Sequence, residues 1–283
     1  MDAGYDPVVE AHRGAAGYWP QNSRAAMLGS IDAGYGGLEF DLVLTSDGVP
    51  VLSHDPWLHE DLCTTSGGDA LGERIFIQDL DLATLQADYL CGGVVDPENP
   101  DAEVVAETTM TFDELLEAMV DAPDMLFHID IKYEPGETPA PEVFAAEVMT
   151  RFADADLPNP WFVSANLPEL VLAFEDWGDA NDFEVDSLVT WPRFTPDTSD
   201  AMVAIGNELG SAAGVVDMVS VAEAAGADGV SVPYQVIDRQ LAQFTRNQGY
   251  FVAVWTVNDQ AMLQALQGWP IDAVVTDYPE LAR

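Results

Sequence analysis

Three carboxylates share a face with their neighbours in two apolar runs. In GLEFDLVLT, residues 37–45, Leu38, Phe40, Leu42 and Leu44 alternate with Glu39, Asp41 and Val43. In LFHIDIK, residues 126–132, Phe127, Ile129 and Ile131 alternate with His128, Asp130 and Lys132. Strand side chains alternate between faces, so each run has one greasy side and one polar side. A strand buried on both sides must turn that polar face into the protein, where isolated charges cost several kcal/mol each. Only Arg13 and Lys132 are at hand to neutralise Glu39, Asp41, Asp130 and Glu10. The shortfall favours one divalent cation, Ca²⁺ or Mg²⁺, on Glu39, Asp41 and Asp130, because hard ions take carboxylate oxygens. A purely structural ion-pair network is the competing reading.

Lys132 is the chain's only lysine. Its inward position beside a carboxylate suits a phosphate contact, and Arg13 could grip two phosphate oxygens. His12 ends the first apolar run. Asp47-Gly48 is a hairpin signal that returns the chain through 49–53 and delivers His54. Two imidazoles at strand ends can serve as base and acid across a phosphorus centre. His128 lies deeper and reads as a hydrogen-bonded core group, and His59 as solvated.

The elements that must position these residues alternate along the chain. Strands are predicted at 8–12, 37–45, 126–132, 160–165, 187–191, 228–233, 250–257 and 271–276, with a short return strand at 49–53. Helices fill many gaps. TFDELLEAMV carries a capping box, Thr111 with Glu114, and QVIDRQLAQFTRNQG stops at Gly249. Eight such units predict a (β/α)8 barrel, a single TIM-barrel domain over residues 1–283. An open doubly wound sheet competes, but no G-x-G-x-x-G follows an early strand. Residues 55–110 break the alternation and read as an insertion after the second strand, covering one barrel mouth. Residues 192–214 are similarly irregular.

Composition narrows the partners. The 283 residues hold 9 Lys+Arg against 50 Asp+Glu, a net charge of −41. That balance argues against nucleic acid and anionic membrane surfaces, and suits a protein screened by high salt. No apolar run approaches the ~20 residues of a membrane span, so no stable membrane insertion is expected. The first residues contain no signal-peptide pattern. Cys63 and Cys91 could form one disulfide in an exported mature chain or remain two free thiols.

Taken in order, HRG at 12–14, LEFDLVLTSDG at 38–48, HD at 54–55, HIDIK at 128–132, VWTVN at 254–258 and VVTDYP at 274–279 resemble the glycerophosphodiester phosphodiesterases, a TIM-barrel family. The resemblance implies metal-dependent hydrolysis of a small-molecule glycerophosphodiester to an alcohol and glycerol 3-phosphate. It implies His12 and His54 as the acid/base pair, Arg13 and Lys132 on phosphate, and Glu39, Asp41 and Asp130 on the metal. It also implies Trp255 lining the substrate pocket and Asn22 orienting a ligand oxygen. Two departures stand out. Asp130 replaces the family's usual Glu, and Gln21 in PQNS replaces the Glu of Pro-Glu-Asn-Thr. The alternatives are a relative that cleaves lysophospholipids or sphingomyelin, with Trp191 and Phe194 lining an apolar channel, and a non-catalytic barrel that binds phosphodiesters.

Overall fold

The computed structural model describes residues 5–190 and 210–283, without the side chains of 210–217. Eight strands form: β1 Val8–Ala11, β2 Gly37–Leu44, β3 Leu126–Ile131, β4 Trp161–Ala165, β5 Ser187–Thr190, β6 Gly229–Pro233, β7 Phe251–Trp255 and β8 Ala273–Thr276. Each pairs in parallel with the next, and β8 returns to pair with β1. That last pairing closes the sheet into the expected (β/α)8 barrel and excludes the open doubly wound sheet. The return strand, Pro50–Leu52, runs antiparallel beside β2 and stays outside the closed ring.

The strands end a residue or two inside the predicted limits, and β1 stops at Ala11 because His12–Gly14 turns as a 3₁₀ segment. Connecting helices include Arg24–Ala33, Phe112–Met119, Pro141–Ala155, Pro168–Asn181, Gly210–Ala225, Arg239–Asn247 and Gln260–Leu266. The Thr111–Glu114 capping box forms as predicted. Trp191 and Phe194, the proposed channel residues, lie outside the described residues, as do positions 192–209 of the stretch expected to be irregular. Its expected end at 214 is corrected, since a helix already begins at Gly210. The glycines there resemble loop signals, but the interspersed alanines have the highest helix propensity.

Strand β2 is buried over its whole length. Leu38, Phe40, Leu42 and Leu44 join the main core formed with the outer helices. Leu126, Phe162, Leu188, Ala253 and Ala273 form a separate apolar cluster. The His128 ring packs on Phe162, centroids 4.3 Å apart, so the polar residues of the interior rest directly on this apolar layer.

The insertion has its own small core, in which Leu58, Leu71, Ile77 and Leu85 pack with Val43 and Val51. Its paired segments are short: Trp57–Leu58 with Ile75–Phe76, and Cys63–Thr65 with Tyr89–Cys91. Cys63 and Cys91 form a disulfide across the second pair, which settles the open choice at the thiols. By the chain-entropy estimate, closing a loop of 28 residues is worth about 3–4 kcal/mol, a large fraction of any stability this thin layer has.

Candidate active site

A cavity of about 780 Å³ opens at the ends of the strands. His12, Arg13, Glu39, His54, Asp130, Lys132 and Trp255 all line it. The insertion contributes Trp57, His59 and Arg74 to the wall, so His59, expected to be merely solvated, faces the cavity.

The turn after β1 is tight. Arg13, Gly14 and Ala15 all have positive φ, 50°, 76° and 64°. Such values cost an ordinary residue of order 1–2 kcal/mol. At Gly14 a Cβ would also sit 2.7 Å from the Cβ of Ala26, so only glycine fits there. The result is functional geometry. The Arg13 N–H points inward and donates to Glu39 Oε2 at 2.7 Å.

Glu39, Asp41 and Asp130 converge. Their carboxylate oxygens lie within 4.8 Å of one another, and all three residues are buried. Asp41 and Asp130 face each other in the β2–β3 register. Arg13 Nε and Lys132 Nζ each approach Asp41 at 3.4 Å, and Lys132 also donates to Asp130. Two cations therefore meet three carboxylates. The remaining strain falls on Glu39: burial, and next the charge of Asp41, push its carboxyl up to about 8. Burial also opposes the charge on Asp130, but Lys132, His128 and Ser164 outweigh it and hold that carboxyl below its usual range. An all-oxygen, electron-rich pocket with one carboxyl left short of positive charge is the donor set a hard divalent ion fits.

Asn22 sits behind the acidic cluster. Its Nδ2 donates to Asp41 Oδ2 at 2.8 Å, and its Oδ1 accepts the Asp41 N–H at 3.1 Å. Both ends of the amide are used on Asp41, so Asn22 orients a carboxylate of the acidic cluster. Glu10 is likewise withdrawn from the carboxylate cluster. It accepts from His128 Nδ1 at 2.6 Å, while His128 Nε2 meets Ser164 Oγ at 2.8 Å and Ser164 donates to Asp130 at 2.8 Å. With the Ser164 proton given to Asp130, both ring nitrogens of His128 must donate. Burial disfavours that imidazolium, but Glu10, Glu39 and Asp130 together outweigh it and raise the His128 pKa. His128 is thus the hydrogen-bonded core group expected.

His12 and His54 each have a carboxylate behind them. His12 Nδ1 meets Asp277 Oδ1 at 2.6 Å, and His54 Nδ1 meets Asp55 Oδ1 at 2.8 Å. Burial alone would push the Asp277 carboxyl up, but His12, Asn258 and Arg13 together hold it below its ordinary range. Asn258 also donates to Asp277 Oδ2 at 2.6 Å. A carboxylate on Nδ1 fixes the tautomer and leaves Nε2 as the nitrogen for proton transfer. Trp255 Nε1 is buried with no hydrogen-bond partner among the described residues, a donor reserved at the wall.

Known proteins share this sequence pattern and fold. Residues 12–281 match the glycerophosphoryl diester phosphodiesterase family. The chain belongs to that family. The resemblance carried by the six motifs is confirmed. The Bacillus subtilis glycerophosphodiester phosphodiesterase is 22% identical over 276 residues, covering 97% of this chain and 84% of that protein. Rv2277c, an uncharacterized Mycobacterium tuberculosis protein, is 30% identical over 147 residues, covering 52% of this chain and 45% of its own length. The match thus spans less than half of that longer relative. Among solved structures, a Silicibacter pomeroyi protein superposes with a TM-score of 0.80 at 22% identity, covering 98% of this chain and 92% of that one. An Oleispira antarctica phosphodiesterase, solved with its product sn-glycerol-3-phosphate, gives 0.70 at 21% identity, covering 98% and 95%.

Asp277, Asn258, Asp55 and Ser164 have no role in the alternation-based reading. Asp277 directly follows the apolar β8, at a C-terminal strand end where barrel enzymes set functional groups, and that position is the one signal that could have found it.

Proposed function

We propose that the protein hydrolyses glycerophosphodiesters to an alcohol and glycerol 3-phosphate with the help of one divalent cation, Ca²⁺ or Mg²⁺. The observation that carries this is the pairing of two carboxylate-backed imidazoles, His12 and His54, around a cavity that also contains Arg13, Lys132 and the acidic cluster. A cation held by Glu39, Asp41 and Asp130 would supply Lewis-acid polarisation of a phosphoryl oxygen. Arg13 offers its guanidinium to the added negative charge of the transition state, and Lys132 offers a point charge. One imidazole removes the proton of the nucleophile, a water or a hydroxyl of the substrate's glycerol. The new P–O bond forms as the P–O bond to the alcohol breaks, and the other imidazole gives its proton to the leaving oxygen; where the nucleophile is the glycerol hydroxyl, the cyclic phosphate so formed is then opened by water, which breaks the ring P–O bond. In sum, one water is consumed for each diester cleaved. Asp277 and Asp55 keep the rings oriented throughout.

The test is release of glycerol 3-phosphate from glycerophosphocholine, with lysophosphatidylcholine as the lipid contrast. Release from the soluble diester, lost with EDTA and restored by Ca²⁺ or Mg²⁺, is expected. General acid–base catalysis is worth about 10²–10⁴-fold, so His12→Ala and His54→Ala should each lose at least the lower figure while remaining folded by circular dichroism. Undiminished turnover in both variants refutes the assignment.

A further inference from the structure

The cavity wall made by the insertion carries a feature that hydrolysis itself does not use. Arg13, Arg24, Lys132, Arg151, Arg246 and Arg283 each form an ion pair with a carboxylate. Arg74 forms none among the described residues, although the chain has 50 acidic side chains. It is exposed, lines the cavity, and places its Cζ over the Trp57 ring, 3.8 Å from the ring centroid. Stacking of this kind holds the guanidinium plane while leaving its N–H edge open to an acceptor.

Its support is well anchored. Trp57 pairs with Phe76 in the short antiparallel ladder and meets that ring edge-on at 6.3 Å. Gln78 Nε2 donates to the Gly136 carbonyl at 3.1 Å, joining this hairpin to the loop after β3. That loop carries Glu134 and Glu137, which line the same cavity with Asp55. Burial, and next the charges of Glu137 and Asp55, raise the Glu134 carboxyl. The cavity therefore has two poles, the Arg74 guanidinium, with no ion pair among the described residues, and the neighbouring carboxylates of Glu134 and Glu137.

We propose that Arg74, held over the Trp57 ring, determines head-group specificity and selects a leaving alcohol that carries an anionic group, with Glu134 and Glu137 receiving an ammonium on the same alcohol. The class that satisfies both poles is an amino-acid head group, as in glycerophosphoserine. This rests on the phosphodiesterase reading above. Glycerophosphoethanolamine differs from glycerophosphoserine by one carboxylate, so the pair isolates the contact.

The experiment measures kcat/KM for both diesters in the metal-supplemented full chain. Wild type should favour glycerophosphoserine. A charged hydrogen bond is worth about 1.5–3 kcal/mol, at least roughly tenfold. The serine-to-ethanolamine ratio should therefore fall at least about tenfold in Arg74→Gln, fall further in Arg74→Glu, and be partly kept in Arg74→Lys. A wild-type ratio at or below one, or a ratio unmoved by Arg74→Gln, overturns the head-group assignment and leaves hydrolysis standing. Release of glycerol 3-phosphate from no diester at all overturns the hydrolytic reading and this one with it.

Discussion

Glu39 is where the chemistry of single residues is most exposed to test. Its carboxyl is pushed up to about 8 in the folded protein, first by burial and then by Asp41. An ordinary carboxyl titrates near 4.3. The folded value is the higher one, so this group's contribution to stability is complete below the ordinary value. It is lost as pH climbs through about 8. A divalent cation needs the ionised form and takes over from the proton, so its stabilisation should grow across the same window. We expect the rise in melting temperature on adding Ca²⁺ to EDTA-treated protein to be larger at pH 8 than at pH 5.5. In Glu39→Gln that pH dependence should flatten. Equal increments at both pH values in the wild type would contradict a cation on these oxygens. Period-two alternation is enough to find Glu39, Asp41 and Asp130, because their placement is a property of local strand geometry. Asp277 is invisible to it, since its partner His12 lies 265 residues away.

Among the elements, the insertion does more than cover a barrel mouth. Arg13 Nη1 donates to Gln21 Oε1 at 2.5 Å, and Gln21 Nε2 donates to Asp96 Oδ2 at 2.8 Å. Asp96 is buried and belongs to the insertion. It therefore fixes which end of the Gln21 amide faces the guanidinium, and acts on Arg13 through Gln21. This also accounts for glutamine in a motif whose usual residue is Glu: the charge sits one residue further back. Asp96 Oδ1 is already taken by the Glu98 N–H at 2.8 Å, so an amide at 96, with one oxygen, cannot serve both donors. Asp96→Asn should raise KM for the diester and lower kcat/KM about tenfold, the scale of one charge-assisted hydrogen bond. Adding Gln21→Glu in that background should restore most of it by putting the charge directly on Arg13. A double variant no better than Asp96→Asn alone would show that the chain Arg13–Gln21–Asp96 is only structural. The insertion is also the part of the fold least readable from sequence. Its strands are two or three residues long, too short to display a period. Strands β2 and β3, with eight and six residues, show theirs plainly.

At the scale of the whole molecule, the net charge of −41 must be reconciled with a closed, well-packed barrel. The core is ordinary: aliphatic and aromatic side chains between strands and helices. The charge is therefore a surface property, and it acts on stability as self-repulsion of the compact state. Repulsion between exposed charges is screened over about 30 Å at 0.01 M salt, 10 Å at 0.1 M and 3 Å at 1 M. The surface ion pairs that salt weakens, Arg24–Glu114 and Arg283–Glu280 among them, are each worth about 0–1 kcal/mol and are few. Repulsion outweighs them, because acidic side chains outnumber basic ones 50 to 9. The melting temperature in EDTA should therefore climb steadily as NaCl rises from about 0.01 M to 1 M, with most of the gain at the low end where the screening length shrinks fastest. Lowering the pH toward the isoelectric point of about 4.1 should reduce the slope, since protonated carboxyls no longer repel. A melting temperature that is flat or falling with NaCl at neutral pH would mean that the negative charges are already balanced locally, and the case for a chain shaped by a screening medium would end there.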